Sequence, residues 1–171
     1  MLRDGARDRI VTLGLLRRGG PVAVQQQFLD RRLAHAVELA DGEEEAGAPV
    51  PDRLRGAQPV FDETGGLHAA GVFTMDGVLE ASAEDVGRHN TLDKIRGDCL
   101  LRSVETRGGI LLSTGRISSE MLNKAVKMGC PIVASRTSAT SLSVQLARAW
   151  NITLVGYLQR GKLRVYANGW R

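Results

Sequence analysis

The sequence predicts an α/β fold, a three-layer α/β/α sandwich. In the second half of the chain, the apolar runs GILLST, PIVAS and ITLVGYL alternate with helical stretches at 91–104, 118–128 and 141–150. These runs are almost entirely apolar, which is typical of strands that helices cover on both faces and that right-handed crossovers connect. A length of 171 residues, 43% of them hydrophobic, suits one compact domain.

Two hairpins are predicted beside this β-α-β-α-β unit. The pair Asp76-Gly77 stands between the runs AGVFT and VLEAS, and Asp-Gly in that position is the strongest short-range signal for a β-hairpin. The run LRVYA follows Gly161 and can pair with ITLVGYL as a terminal hairpin.

The N-terminal part of the chain is predicted in three pieces. The segment 1–27 is rich in Arg and Gly and is expected to be irregular. From Phe28, apolar residues recur at three- and four-residue spacing, which predicts an amphipathic helix over 28–41. The acidic, proline-containing stretch at 41–51 is expected to be a solvated loop within a single domain that spans 28–171.

Composition excludes several classes of protein. No stretch approaches the roughly 18 apolar residues of a membrane-spanning helix, and the N-terminus makes a poor secretory signal, so we expect a cytoplasmic protein. Cys99 and Cys130 are too few for a disulfide framework and are expected to be buried thiols. A zinc deaminase is excluded, because His68 is followed by two alanines and no P-C-x-x-C motif exists, and we expect no metal.

Charge is distributed unevenly along the chain. The net charge is +4, but the last acidic residue is Glu120, so the final third of the chain is purely basic. A one-sided positive field suits an anionic partner such as a phosphate, although surface cations also serve solubility alone. We favour ligand binding, and expect neither a nucleic-acid nor a membrane partner.

The densest polar cluster is EDVGRHNTLDK, in which a strand is expected to end and a helix to begin near Asn90 or Thr91. The free N–H groups and the dipole at that helix start would favour an anion beside Arg88 and His89. Helix capping explains part of the cluster. The residues that capping does not explain, and to which we assign a function, are Asp85, Arg88 and His89.

Three further motifs contain residues that suit ligand binding. TGGLHAA places His68 beside two glycines that permit close approach of a ligand, with a turn and a structural histidine as an equal alternative. STGRISSE and SRTSATS are hydroxyl-rich strand-to-helix turns, typical of phosphate binding but without a Walker A or GxGxxG motif. Because the carboxyl ends of parallel strands meet at one edge, these turns should form a polar crevice. The residues assigned to ligand binding from these motifs are His68, Arg88, His89, Ser113, Arg116, Thr137 and Ser138.

The motifs TGGLHAAGVF, EDVGRHNTLDK, LLSTGRISSEM, SATSL and ITLVGYLQRGK, from about Ala57 to Arg171, resemble the FdhD family of formate dehydrogenase accessory proteins. The resemblance implies a cytidine-deaminase-like mixed sheet without zinc. It also implies sulfur transfer from a cysteine desulfurase to bis-molybdopterin guanine dinucleotide, the molybdenum cofactor of formate dehydrogenase, and we expect a homodimer. The cofactor-contacting segment of the family matches Tyr157, Leu158, Gln159, Arg160, Gly161 and Lys162.

One part of the family pattern is absent from this sequence. The family carries its persulfide on a C-G-x-C-G type loop upstream of TGGLHAA, whereas no cysteine precedes Cys99. We therefore assign no catalytic residue, and two functions stay open: FdhD-like sulfur transfer with cofactor binding, or a non-catalytic module that binds the cofactor or a nucleotide. A hydrolase using His68 and Asp85 is disfavoured, because no nucleophile and base are recognisably paired.

Overall fold

The computed structural model describes residues 9–12, 49–159 and 162–167; for 9–12 and Lys162 it describes the backbone alone. The strands in these ranges are β1 Arg9–Thr12, β2 His68–Phe73, β3 Leu79–Asp85, β4 Ile110–Ser113, β5 Ile132–Ser135, β6 Thr153–Gln159 and β7 Lys162–Ala167. The helices are α1 Val50–Gly56, α2 Pro59–Thr64, α3 Arg88–Arg102, α4 Ser119–Lys127 and α5 Ser141–Ala149.

The strands form one mixed sheet in the order β1-β7-β6-β5-β4-β2-β3. Strands β4, β5 and β6 run parallel, as the β-α-β-α-β pattern predicts, and the other neighbours are antiparallel. Both predicted hairpins, β2-β3 and β6-β7, are confirmed. The turn of the first contains Gly77 at a φ of 78°, a left-handed conformation that favours glycine.

Helices cover both faces of the sheet, which confirms the predicted three-layer arrangement. On one face, Ile95 of α3 and Met121 of α4 share an apolar cluster with Leu111 of β4, and α5 joins the same cluster. On the other face, Leu54 of α1 belongs to a cluster with Phe73 of β2. Successive residues of β4 and β5 therefore enter opposite cores. Among the described residues, no helix is long and apolar enough to cross a membrane.

The sequence prediction misses two short helices upstream of β2. Helix α1 begins inside the stretch 41–51, which was expected to be a loop throughout. Seven residues are too few to show helical periodicity, and the burial of Val50 and Leu54 on the sheet stabilises this helix instead. Helix α2 begins at Pro59 and ends before Gly65, whose φ of 64° favours glycine.

The structure also corrects the predicted N-terminal segment. Within 1–27, which was expected to be irregular, Arg9–Thr12 forms β1 and pairs antiparallel with β7. Four residues carry too short a pattern to be recognised, and the hydrogen-bonding partner of β1 is distant in sequence. The predicted helix at 28–41 lies outside the described residues.

Candidate functional site

The two hydroxyl-rich turns lie beyond the carboxyl ends of β4 and β5. These parallel strands end at Ser113 and Ser135, which are partners in register. Strand β2 pairs Ala70 with Ser113 and runs antiparallel to β4, so its first residue, His68, lies just beyond the end of β4. The turns after β4 and β5 therefore share one edge of the sheet, and the pairing of β2 with β4 brings His68 to the same edge. We call this edge the polar crevice and define it by His68, Arg88 and residues 114–118 and 136–140.

Hydrogen bonds fasten the two turns of the polar crevice to each other. Ser135 Oγ donates to the Gly115 carbonyl at 2.8 Å and accepts from the Thr137 N–H at 2.9 Å. The Ile117 N–H donates to the Ser138 carbonyl at 3.1 Å. Ser135 is fully buried, so its hydroxyl holds the turns together and is not exposed to a ligand.

Gly115 allows two predicted site residues to close over the turn after β4. A Cβ atom at Gly115 would lie 2.9 Å from Arg88 Cβ, 3.0 Å from Arg88 Cδ and 3.4 Å from His68 Nδ1. A side chain at this position would have to displace Arg88. His68 and Arg88, which are separate in sequence, are thus brought together.

The Arg88 side chain has one hydrogen-bond donor without an acceptor. Its Nε atom is buried and unpartnered, and within the described ranges no carboxylate forms an ion pair with it. Leaving a buried donor unsatisfied costs about 1–3 kcal/mol. A water molecule or an acceptor atom of a ligand would satisfy this donor.

Helix α3 begins at Arg88, earlier than predicted. Gly87 is its N-cap residue and no side chain caps the helix, so neither Asn90 nor Thr91 has the predicted capping role. Thr91 is buried in the first turn, where its hydroxyl donates to the Arg88 carbonyl at 2.7 Å. The uncapped start of α3 adds partial positive charge beside the Arg88 side chain.

Asp85 organises the turn that leads into α3. Its Oδ1 accepts from the Gly87 N–H at 2.8 Å and from Asn90 Nδ2 at 3.0 Å, and its Oδ2 forms an ion pair with Lys94. The Lys94 hydrogen bond, followed by the Gly87 and Asn90 hydrogen bonds, lowers the pKa of this carboxyl from 3.8 to about 2. The carboxylate that the sequence suggested for a functional role is therefore engaged by its own turn.

The Asp85 contacts predict a pH-dependent stability. Because the folded-state pKa is below the unfolded one, the stabilisation is fully present above about pH 4 and is lost as the pH falls towards about 2. We expect Asp85→Asn to be less stable than the parent at neutral pH and to lose less stability over that acidic window. Urea unfolding at a series of pH values measures this, and parallel profiles for the two proteins would contradict it.

His89 connects α3 to the start of α4. Its Nε2 lies 2.8 Å from Ser118 Oγ, which accepts from the Met121 N–H as the cap of α4. Lys124 Nζ donates to Asp93 Oδ2 at 2.7 Å and to the His89 carbonyl at 3.4 Å. This contact joins a hydroxyl and an imidazole, but the hydroxyl is engaged as a helix cap. The position of Ser118 directly before a helix was the sequence signal for this contact.

The remaining crevice residues predicted on the turns differ in exposure. Ser113 is fully buried, and its Oγ accepts from the Gly115 N–H at 3.1 Å, so it shapes the turn and does not form the crevice surface. Thr137 and Ser138 are half-buried and Arg116 is exposed. These three side chains are accessible to a ligand.

The segment implied by the family resemblance places an aromatic ring beside the turn after β5. Tyr157 has a φ of 50°, which is rare for a tyrosine, and its N–H donates to the Thr137 carbonyl at 2.8 Å. Its side chain is 43% exposed, and the ring centroid lies 5.5 Å from the Arg164 guanidinium. Leu158 is instead a core residue, and Gln159 is exposed. Arg160 and Gly161 lie outside the described residues, and Lys162 is described by its backbone alone.

Both cysteines are buried thiols, as predicted. Cys99 lies in α3, Cys130 lies two residues before β5, and both belong to the same apolar cluster. Burial raises the pKa of both thiols, that of Cys130 to about 12. Because the thiolate is the nucleophilic form of cysteine, neither residue has the environment of a reactive thiol.

Comparison with known proteins agrees with the geometry of the fold. A family model described as the FdhD/NarQ family matches residues 20–171. The sulfur carrier protein FdhD of Streptomyces coelicolor is 48% identical over 121 residues, covering 70% of this chain and 43% of that protein. The corresponding protein of Nocardia farcinica is 43% identical over 139 residues, covering 81% of this chain and 49% of that protein.

A solved structure is also similar. The crystal structure of a formate dehydrogenase accessory protein from Desulfotalea psychrophila has 31% identity and a TM-score of 0.67, covering 77% of this chain and 53% of that one. The chain spans about half the length of these relatives. The family match begins at residue 20, upstream of the resemblance that the motifs alone indicated. The chain belongs to the FdhD/NarQ family.

Proposed function

We propose that this chain is a cytoplasmic protein that binds bis-molybdopterin guanine dinucleotide in the polar crevice, and so takes part in supplying sulfur to that cofactor for formate dehydrogenase. The observation that carries the proposal is the buried Arg88 Nε without an acceptor, at the sheet edge where α/β proteins bind ligands. A cysteine desulfurase is the proposed source of sulfur, and formate dehydrogenase is the proposed recipient of the cofactor.

The described residues fit a ligand that is polyanionic and partly aromatic. Arg88 and the uncapped start of α3 suit phosphate oxygens. The exposed Tyr157 ring, with Arg164 beside it, suits the guanine base. Neither turn of the crevice, 114–118 or 136–140, contains an acidic residue that would repel phosphate. The molybdenum of the bound cofactor would be the acceptor of sulfur, while these residues bind and orient the molecule.

Guanosine diphosphate provides a direct test of the proposed base contact. We expect Tyr157→Ala to weaken its binding by roughly 5- to 150-fold, since stacking of a base on an aromatic ring is worth about 1–3 kcal/mol. Isothermal titration calorimetry of the full chain measures the affinity. The alanine variant removes the ring and keeps the N–H that donates to the Thr137 carbonyl.

Arg96→Ala is the matched control for this titration. Arg96 is an exposed cation on α3 outside the crevice, and its loss changes the net charge without touching the proposed site. We expect its affinity for guanosine diphosphate to stay within twofold of the parent. Equal affinities in the parent and in Tyr157→Ala would refute the placement of the base at Tyr157.

A second function, a binding module that transfers no sulfur itself, is favoured by the burial of both cysteines. A sulfur carrier needs a thiol that can reach its donor and exist as thiolate, and neither Cys99 nor Cys130 meets these needs. In this case the persulfide would be held by another thiol, and this chain would contribute the binding of the cofactor.

Incubation with a cysteine desulfurase and free cysteine distinguishes the two functions. We expect intact-protein mass spectrometry to show no added sulfur on Cys99 or Cys130 in the folded chain, because burial disfavours both thiolates. Iodoacetamide at pH 8 should likewise label both residues only in denaturant. A persulfide on either cysteine of the folded protein would instead assign the transfer step to this chain.

A further inference from the structure

Strand β3 lies at one edge of the sheet, and its outer side is accessible. It pairs with β2 on its inner side, and among the described strands none pairs with it on the other side. Ser82, in the middle of β3, is exposed, as are Val78 and Val86, which flank the strand. An edge strand of this kind presents unpaired backbone groups to which a strand of another chain can bond.

Two cations of α3 bind the outer carbonyls of β3. Lys94 Nζ donates to the Glu84 carbonyl at 3.0 Å. Arg102 Nη2 donates to the Glu80 carbonyl, also at 3.0 Å. The two carbonyls are about 13 Å apart, at about 3.3 Å per residue of a strand, and the two cations are about 12 Å apart, at about 1.5 Å per residue of a helix. Because these lengths match, one row of α3 side chains follows the edge of β3.

Carboxylates hold both cations in place. Lys94 forms an ion pair with Asp85. Arg102 Nε donates to both carboxylate oxygens of Asp98, which lies on α3 between the two cations. The cations are about half exposed, and exposed ion pairs add little to stability. The main effect of these contacts is therefore positional, since they keep each cation against a carbonyl of β3.

We infer that Lys94 and Arg102 protect the edge of β3 from pairing with the same edge of a second copy of this chain. An incoming strand needs the outer carbonyls of β3 as acceptors and would have to displace both cations to reach them. Ser82 has the same orientation as Glu84, two residues away, so its N–H and C=O also point away from β2. This single open residue is shorter than the roughly three or more residues of strands in proteins.

The side chains of β3 oppose the same pairing. Two copies of β3 paired antiparallel about Ser82 would place Glu80 of each copy opposite Glu84 of the other. Like charges directly opposite each other destabilise an antiparallel pair. A second copy of the chain is the relevant partner, because an antiparallel pair of identical edges is self-complementary and closes into a dimer. The cations and the two glutamates thus act against one kind of association.

Analytical ultracentrifugation of the full chain with Lys94→Ala and Arg102→Ala combined tests this inference. Every protein in the test carries Glu80→Gln, which removes the charge repulsion, and Ser82→Cys, which places a thiol at the centre of the edge. We expect the dissociation constant for self-association to fall roughly 10-fold or more in the double variant, because two carbonyls become free to accept inter-chain hydrogen bonds. A short bismaleimide should join two copies through the introduced thiol, since the native cysteines are buried.

Arg96→Ala combined with Lys127→Ala is the matched control. It removes two exposed cations from α3 and α4 and leaves the edge of β3 unchanged, so we expect neither tighter association nor cross-linking. Circular dichroism checks that each protein is folded, as expected for alanine at exposed helical positions. Unchanged association in the double variant would overturn the inference, as would an equal gain in the control or association without cross-linking at the introduced thiol.

Discussion

Replacement of Leu54 by alanine should destabilise the protein by about 2–5 kcal/mol, the range for truncating a buried leucine. Leu54 is the central apolar residue of α1 and has 0% of its surface exposed. Its Cδ1 atom lies 3.1 Å from the position of a Cβ at Gly71, so it fills the space above that glycine of β2. Truncation would leave a cavity between the helix and the sheet. The free energy of unfolding in urea measures the effect.

Leu101→Ala is the matched control for this experiment. Leu101 is also a helical leucine, but 89% of its surface is exposed, so its truncation should change stability by less than about 0.5 kcal/mol. The comparison separates burial from helix propensity, because both variants exchange leucine for alanine within a helix. Similar unfolding energies for Leu54→Ala and Leu101→Ala would show that α1 does not contribute to the core.

Gly156→Ala should damage both stability and nucleotide binding. A Cβ at Gly156 would clash with Tyr166 Cε2 and would lie 2.8 Å from the Thr137 carbonyl oxygen. The second contact is with backbone and cannot be relieved by rotation of a side chain, so we expect a loss of roughly 1–3 kcal/mol, as for other overpacked sites. Because the Thr137 carbonyl accepts from the Tyr157 N–H, the clash should also move the proposed base contact.

Gly97→Ala is a control that is expected to stabilise the protein. Gly97 lies within α3, and nothing lies within 4 Å of an added Cβ. We expect this variant to gain about 0.5–1 kcal/mol, because alanine has the higher helix propensity. Thermal unfolding together with guanosine diphosphate titration of both variants tests the pair. A Gly156→Ala protein with parent stability and affinity would contradict the close packing of β6, β7 and the turn after β5.

Sequence reasoning predicted the elements whose signals are local. The Asp76-Gly77 hairpin depends on a two-residue turn, and the central β-α-β-α-β unit on the alternation of apolar runs with helical periodicity. Helix α1 and strand β1 were missed, because each is too short to carry a period and is stabilised by partners that are distant along the chain. The early start of α3 was missed because its N-cap is a glycine.

The candidate site was predicted in outline for a similar reason. The carboxyl ends of parallel strands must share an edge, which is why the turns after β4 and β5 were placed together before the fold was known. The proximity of His68 to these turns depends on the antiparallel pairing of β2 with β4, which that argument did not include. The role of each side chain was less predictable. Ser113 is a hydroxyl residue of a predicted ligand-binding turn, and Leu158 lies in the segment that the family resemblance implies. Both are buried within the protein.

The sequence by itself determined the family resemblance, the layered α/β fold, the basic final third and the absence of a cysteine upstream of Cys99. Each of these follows from the order of the residues and requires no knowledge of their contacts. Only the tertiary structure decided that Asp85 and His89 are engaged by neighbouring elements while the Nε of Arg88 is buried without an acceptor. The physical reason is that a hydrogen bond or its lack depends on the distance between atoms from separate parts of the chain, and that distance is set when the sheet and its helices pack.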